Sequence, residues 1–178
     1  MSSDALQWQR KPGQGKYATI ERERRFLLSA NPPPGAAARR IEDRYIAGTR
    51  LRLRHVAVGA DVVYKLTQKV RVVDEAPADV SIKNLYLSAE ENALFGALPA
   101  RTISKTRSVY EVAGHDFVVD VFHGRFHGLL LAEVEVEDLH APLTIPAWIG
   151  DEVTHDDRYS GGLLAFAHDD QVTQLLGP

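Results

Sequence analysis

Residues 20–28 read IERERRFLL, a stretch in which charged side chains lead directly into an apolar run. The apolar end predicts a β-strand, and since side chains alternate between the two faces of a strand, Glu21, Glu23 and Arg25 share one face. Two carboxylates spaced in this way can hold one hard cation between them, and Arg25 could then bind an anionic ligand beside it. The alternative is a strand whose charges are simply solvated, which these nine residues alone favour.

The composition excludes several classes of protein. The chain has 178 residues, enough for one domain with a hydrophobic core, and 44% of them are apolar and 25% charged. The net charge of −3 gives no overall field that attracts nucleic acid or a membrane. The absence of cysteine excludes disulfides, thiolate metal sites and cysteine nucleophiles. No apolar run is long enough to span a bilayer and residues 1–17 do not resemble a signal peptide, so we expect a cytoplasmic protein.

Three further segments predict strands with a basic face. The basic positions are Arg50, Arg52 and Arg54 in the first, Lys65 and Lys69 in the second, and Lys105 and Arg107 in the third. If the alternating leucines of the first segment pack beneath outer helices, its arginines line an interior. That interior must be wet or hold an anion, because an unpaired guanidinium is too costly in a dry core. Exposed basic faces are the alternative, which the repetition of the pattern weakens.

A second acidic segment, residues 129–137, reads LLLAEVEVE. Glu133 and Glu135 share one face of the predicted strand, where like charges repel unless cations lie among them. A solvated edge strand is the alternative, and it is weaker here because the acids follow directly on three leucines.

Shorter signals predict the remaining elements. Ser88 and Glu91 form a capping box that opens a helix ending near Leu98, before Pro99. His123 and His127 have the spacing of metal ligands on a helix, but the glycines beside them favour a turn. The other predictions are a lead-in at 1–16, a loop at 29–38 containing three prolines, a short helix at 36–41, a loop at 74–79, a strand at 80–87, a hairpin turn at Gly114 and a helix at 162–176.

Taken in order along the chain, these segments resemble the CYTH family, also called triphosphate tunnel metalloenzymes. The family signature Glu-x-Glu-x-Lys/Arg is similar to Glu21, Glu23 and Arg25. The other similar positions are Arg52 and Arg54, Lys69 and Lys65, Lys105 and Arg107, Asp120, Glu133 and Glu135, and the segment 152–159 with Arg158. One departure is that short bacterial members often carry Glu-x-Glu on the strand before the helix. This chain has no carboxylate at 82–86, which bears on the choice of substrate.

The resemblance implies an α+β fold, in which an antiparallel closed β-barrel of about eight strands forms a charged tunnel with helices packed outside. We expect a flexible lead-in at 1–16 and a single tunnel-barrel domain at 17–178. The implied substrate-binding residues are Arg25, Arg52, Arg54, Lys65, Lys69, Lys105, Arg107 and Arg158. The implied ligands of Mg²⁺ or Mn²⁺ are Glu21, Glu23, Asp120, Glu133 and Glu135. Tyr45 would act as a base with the help of Lys105.

The implied function is metal-dependent hydrolysis of a triphosphate, most simply inorganic tripolyphosphate. The alternatives are adenylyl cyclase or thiamine triphosphatase activity in the same tunnel, or a non-catalytic module that binds polyphosphate or a nucleotide. The expected partners are a triphosphate-containing small molecule and a second copy of the chain in a homodimer. Neither a membrane nor a nucleic acid is expected, because the net charge is negative and no aromatics alternate with the arginines of residues 50–54.

Overall fold

The computed structural model of the protein describes residues 11–34, 37–71 and 79–176. Over these residues the chain forms nine β-strands and three α-helices. The strands are β1 (Thr19–Leu28), β2 (Ala38–Ile46), β3 (Leu51–Val58), β4 (Asp61–Arg71), β5 (Asp79–Leu87), β6 (Ala100–Val112), β7 (His115–Phe122), β8 (Leu130–Glu135) and β9 (Ile149–Glu152). The helices are α1 (Ala89–Gly96), α2 (Gly161–Phe166) and α3 (Asp169–Leu176). Within the described ranges, no helix is long and apolar enough to cross a membrane.

The first eight strands close into an antiparallel barrel. Their order is β5-β4-β3-β2-β6-β7-β8-β1, and β1 closes the ring by pairing with β5 as well as β8. The last strand, β9, pairs with β1 at Phe26 and Leu28 and adds to the barrel wall. The predicted closed antiparallel barrel of about eight strands, with helices outside, is confirmed.

Apolar side chains cover the outer surface of the barrel, as the resemblance to the tunnel enzymes implied. Leu53 of β3, whose neighbours in sequence are Arg52 and Arg54, is fully buried with Ile46 and Leu66 beneath Phe95 of α1. On the opposite wall a second cluster packs under Trp148; its buried members are Phe26, Phe117, Val119, Ala132, Val134 and Ile149. Because these strands bury apolar side chains outside the ring, their alternate, charged side chains face its interior.

A third cluster closes over one end of the barrel. Leu164 of α2 and Val172 of α3 are buried against side chains from the ends of the strands, among them Ile103, Phe122 and Leu131. Arg125 contacts the end of α2 and the start of α3. It donates a hydrogen bond of 2.6 Å to the carbonyl oxygen of Ala167 and forms an ion pair with Asp169 at 2.7 Å. The single helix predicted at 162–176 is therefore wrong in detail, because the chain breaks at 167–168 into two short helices.

One turn and one helix cap form where the sequence predicted them. Ala113 and Gly114 both have positive φ, 51° and 80°, so the β6–β7 hairpin turns where Gly114 predicted it. Ser88 caps α1 as predicted: its hydroxyl accepts 3.2 Å from the Glu91 amide, and its own amide donates 2.8 Å to the Glu91 carboxylate.

The helix predicted at 36–41 is wrong. Ala38–Ile46 is a strand that pairs with β3 on one side and with β6 on the other. Pairing along both edges outweighs the weak helical preference of a few residues. The predictions for residues 1–10, 35–36 and 74–78 lie outside the described residues, and Asp79 already belongs to β5.

Candidate active site in the barrel interior

The barrel encloses a cavity of about 880 Å³. Every predicted strand cation lines it: Arg25, Arg50, Arg52, Arg54, Lys65, Lys69, Lys105 and Arg107. The predicted acids Glu21, Glu23, Asp120, Glu133 and Glu135 line it as well, together with Tyr45. The structure therefore brings the sequence-predicted residues together, with one exception.

The exception is Arg158. It follows the barrel strands in a short 3₁₀ turn, and its side chain is 64% exposed and pairs with Asp156 at 2.5 Å. It does not line the cavity with the other cations.

The two histidines predicted to lie in a turn, His123 and His127, flank a 3₁₀ turn, and His123 Nε2 lies at hydrogen-bond distance, 2.7 Å, from the hydroxyl of Thr106.

Asp43, which the sequence analysis did not assign to the site, lies beneath the basic wall of the cavity. Arg54 donates to it from Nε and Nη2, at 2.6 and 2.7 Å, and Arg52 Nε lies 3.6 Å from it. Burial alone would raise the pKa of Asp43, but the hydrogen bonds from Arg54 and the charges of Arg52 and Lys105 hold it well below its usual range. The available signal was its position two residues before Tyr45, which puts both on the inner face of β2.

Asp120 is a second buried carboxylate that pairs with cations of the cavity wall. It accepts from Lys105 Nζ at 2.5 Å and from Arg107 Nε and Nη2 at 2.7 and 2.6 Å. Arg107 also reaches Glu133 at 3.3 Å. Burial lowers the pKa of Lys105, whereas the pKa of Arg107 is raised because Asp120 and Glu133 outweigh its desolvation.

The predicted metal ligands of β1 and β8 are adjacent across the strand pair. In this register Glu23 lies opposite Glu135, and Arg25 lies opposite Glu133, to which it donates at 3.0 Å. The charge of Glu133, followed by burial, raises the pKa of Glu23. Glu133 itself has a lowered pKa, because Arg25 and Arg107 outweigh its burial.

These carboxylates have the right chemistry for a hard divalent cation, since they offer oxygen donors only. The side chains as placed engage cations instead: Glu21 pairs with Lys69 at 3.7 Å and Glu23 with Arg25 at 3.8 Å. Across the described ranges, no three acidic or histidine side chains converge closely enough to hold a metal ion. The raised pKa of Glu23 reports repulsion among the carboxylates, which a divalent cation would relieve.

The opposite wall, formed by β3, β4 and β5, carries cations that lack such partners. Among the described residues, Lys65 of β4 has no carboxylate within 4.0 Å, and neither has Arg50, an exposed residue just before β3. Arg52 Nε is buried without a hydrogen bond, although Asp43 lies 3.6 Å from it. Burial, followed by the charges of Arg54 and Arg52, lowers the pKa of Lys65 to about 8. Neutral groups complete the wall: Arg52 donates to Thr67 at 3.3 Å, and Thr67 donates to Asn84 at 2.8 Å. Donors that face a cavity without acceptors are suited to an anion.

Tyr45 lies against the start of α2. Its hydroxyl is so close to Gly161 that a Cβ there would lie 2.0 Å from the oxygen. Burial and then the charge of Asp43 raise the pKa of Tyr45 to about 12, so the phenol of the free protein is protonated at neutral pH. Sequence reasoning found Tyr45 but not the α2 residues that lie over it, which are far away along the chain.

Two curated proteins are similar to part of the chain, while no protein-family model matches it. The inorganic triphosphatase of Acetivibrio thermocellus is 44% identical over 57 residues, which are 32% of this chain and 36% of that protein. The inorganic triphosphatase of Nitrosomonas europaea is 39% identical over 77 residues, 42% of this chain and 51% of that protein. The chain thus spans between about a third and a half of the length of the curated relatives it matches.

The fold likeness covers more of the chain. A crystal structure of the inorganic triphosphatase NE1496 matches with a TM-score of 0.58 and 27% identity, covering 83% of this chain and 95% of that one. A second structure, of the hypothetical protein NE1496, matches with a TM-score of 0.59 and 28% identity over 83% of this chain and 98% of that one.

Proposed function

We propose that this chain, which resembles the CYTH-like triphosphate tunnel enzymes in its motifs and its fold, hydrolyses a triphosphate inside the barrel. Inorganic tripolyphosphate is the proposed preferred substrate, and Mg²⁺ or Mn²⁺ the proposed cofactor. The observation that carries the proposal is the wall of β3 and β4. There, Lys65 has no carboxylate within 4.0 Å in the described ranges, and Arg52 and Arg54, which also line the cavity, keep N–H groups that Asp43 and Thr67 do not engage. A chain of phosphoryl groups supplies the acceptors that these donors lack.

The charge of the interior favours a substrate that arrives with a metal ion. Among the described residues, nine cations and seven carboxylates line the cavity. This small positive excess cannot by itself balance a tripolyphosphate, which carries several negative charges. We assign Glu21, Glu23, Glu133 and Glu135 to hold the ion. When bound, it supplies Lewis-acid polarisation of phosphoryl oxygens. Asp120, the fifth ligand that the resemblance implies, accepts three hydrogen bonds from Lys105 and Arg107, and we assign it to hold these two cations.

The protein's own residues then bind, orient and polarise the substrate. Arg52, Arg54 and Lys65 hold the phosphate chain along one wall. Lys105 and Arg107, fixed by Asp120, stabilise negative charge that develops on the transferred phosphoryl group. Because their carboxylate partners hold them in place before substrate binds, little reorganisation is needed during the reaction.

Tyr45 with Lys105 is the proposed base that activates water. In the free protein the raised pKa of Tyr45, about 12, opposes this role. Deprotonation of Tyr45 therefore requires added positive charge near the phenol, which a bound metal ion would supply, since the phosphate chain itself is anionic.

Domain bounds and assembly complete the proposal. We place the catalytic domain at 17–178 and a lead-in at 1–16, expect a cytoplasmic protein, and propose a homodimer. Part of the lead-in contacts the barrel: the Gly13 amide donates to Gln68 at 3.2 Å, and its carbonyl accepts from Ser81 at 2.6 Å. Light scattering of the purified chain tests the dimer.

Phosphate release tests the activity. The purified protein is incubated with tripolyphosphate and with Mg²⁺, Mn²⁺ or a chelator, and released phosphate is measured. We expect release with either metal ion and none with the chelator. Calorimetric binding without release under every metal condition would instead assign a polyphosphate-binding module.

A further inference from the structure

Asp43 is placed where two basic strands meet. On β2 its backbone is paired with Arg54 of β3 on one side and with Ile103 of β6 on the other. Its side chain is 1% exposed and lies within 4.0 Å of three cations: Arg54 at 2.6 Å, Arg52 at 3.6 Å and Lys105 at 3.9 Å. One carboxylate thus joins the basic side chains of two different strands.

The contact with Arg54 fixes an orientation as well as a charge. A guanidinium has five N–H donors in one plane, and the fork to Asp43 uses two of them, from Nε and Nη2. The remaining three are held in a plane set by Asp43, on a side chain that lines the cavity. A planar group fixed in this way loses little side-chain entropy when it binds phosphoryl oxygens.

The same carboxylate is unfavourable for the binding of an anion. Asp43 stays ionised, because its hydrogen bonds to Arg54 and the charges of Arg52 and Lys105 hold its pKa well below the usual range. A permanent negative charge beside the phosphate wall repels the substrate, and the low dielectric of the interior strengthens this repulsion. Orientation and affinity therefore respond to Asp43 in opposite ways.

We infer that Asp43 is a positioning residue for triphosphate hydrolysis: it sets the plane of the Arg54 guanidinium against the phosphoryl groups while weakening the binding of the intact substrate. This inference rests on the proposed function, because it concerns the rate of that reaction. Its binding part can be measured without turnover.

The experiment compares Asp43→Asn and Asp43→Glu with the control Asp79→Asn. Asp79 accepts two hydrogen bonds from Arg22, at 3.0 and 3.2 Å, but does not line the cavity. Calorimetry with tripolyphosphate in chelator gives Kd, and phosphate release with Mg²⁺ gives kcat. Circular dichroism reports the folded fraction of each variant.

Asp43→Asn should lower kcat by about ten- to hundredfold and also lower Kd several-fold, since it removes both the fork and the repelling charge. Asp43→Glu should restore the wild-type Kd but leave kcat low, because the longer side chain restores the charge and not the geometry. Asp79→Asn should change neither quantity.

A purely structural Asp43 would reduce kcat only in proportion to the folded fraction, with Kd per folded molecule unchanged, and that result would overturn the inference. If Asp43→Asn does not fold, Asp43→Glu decides, and a wild-type kcat in that variant would equally overturn it. If the wild type binds tripolyphosphate without hydrolysing it, the proposed function fails. The catalytic part of the inference then fails with it, while the Kd of Asp43→Asn still reports the repulsion.

Discussion

Lys65 lies on β4, where its protonation depends on the charges around it. Burial is the main cause of its lowered pKa of about 8; Arg54, Arg52 and Lys69 lower it further, and Glu21 opposes them. Since the ordinary value is 10.5, the unfolded chain binds more protons than the folded chain between about pH 8 and that value. The stability of the free protein therefore gains from Lys65 as pH rises through this window, whereas its attraction for an anion is lost.

Substrate binding should therefore weaken as pH rises and Lys65 loses its proton. The KM for tripolyphosphate should rise about three- to tenfold as pH increases from 7 to 9 in the wild type, since Lys65 loses its charge. In Lys65→Arg this rise should be absent, because a guanidinium stays protonated over the range. Steady-state kinetics of both proteins in the same buffers measure the difference, and parallel profiles would exclude Lys65 as the titrating group.

Tyr45→Phe tests whether the Tyr45 hydroxyl acts as the general base. Loss of the hydroxyl should lower kcat by about a hundredfold or more, the usual contribution of a general base, and leave KM nearly unchanged. A change confined to KM would make Tyr45 a binding residue, and unchanged kinetics would make it a packing residue.

Glu133→Gln tests the carboxylates of β1 and β8. The concentration of Mg²⁺ needed for half-maximal activity should rise at least about tenfold, because the variant lacks one charged oxygen donor. Calorimetric titration with Mg²⁺ measures the same affinity without substrate. Full activity of the variant at low metal concentration would remove Glu133 from the proposed metal site.

Alternation placed the charges of the basic and acidic strands on one face, because they recur at a spacing of two, but it left open whether that face was interior or exposed. The resemblance to the CYTH family implied the interior, and it also supplied Asp120 and Tyr45. Alternation did not single out Asp43, since one acid next to Arg44 gives no repeating pattern. Its place among Arg54, Arg52 and Lys105 depends on how β2 pairs with β3 and β6, and this pairing is not encoded locally. The proposed roles of the interior residues stay predictions until the variants above are measured.

At the scale of elements, β2 and the C-terminal helices set the limits of sequence reasoning. The short helix predicted at 36–41 failed because a strand paired on both edges gains a ladder of hydrogen bonds. The break between α2 and α3 was missed by sequence reasoning. The contacts that Arg125 makes on either side of it, with Ala167 and Asp169, join residues about forty positions apart and leave no local signal. The capping box of α1 and the hairpin turn at Gly114 were predicted correctly, since their signals are local.

The contact between α2 and the Tyr45 hydroxyl can be tested by substituting two neighbouring glycines, Gly161 and Gly162. A Cβ at Gly161 would lie 2.0 Å from the Tyr45 hydroxyl oxygen, whereas one at Gly162 would meet nothing within 4 Å. Gly161→Ala should therefore lower the melting temperature by several degrees, and Gly162→Ala should not. Combining Gly161→Ala with Tyr45→Phe should recover part of the loss, because the clashing oxygen is gone. Equal melting temperatures for the two single variants would contradict the contact.

For the whole molecule, the main feature is a barrel whose inner walls differ in charge. β3, β4 and β6 contribute most of the cations, while β1, β7 and β8 contribute most of the acids, although the chain as a whole carries a net charge of −3. We expect a highly charged, compact ligand to suit this interior better than a nucleotide, because residues 82–86 of β5 include no carboxylate and one end of a nucleotide's phosphate chain is esterified.

The measurement that tests triphosphate hydrolysis in this barrel most directly is kcat/KM for tripolyphosphate and for ATP at the same pH and Mg²⁺ concentration. The expected result is a higher kcat/KM for tripolyphosphate, with no cyclic AMP formed from ATP. More efficient turnover of ATP, or a cyclic product, would contradict it.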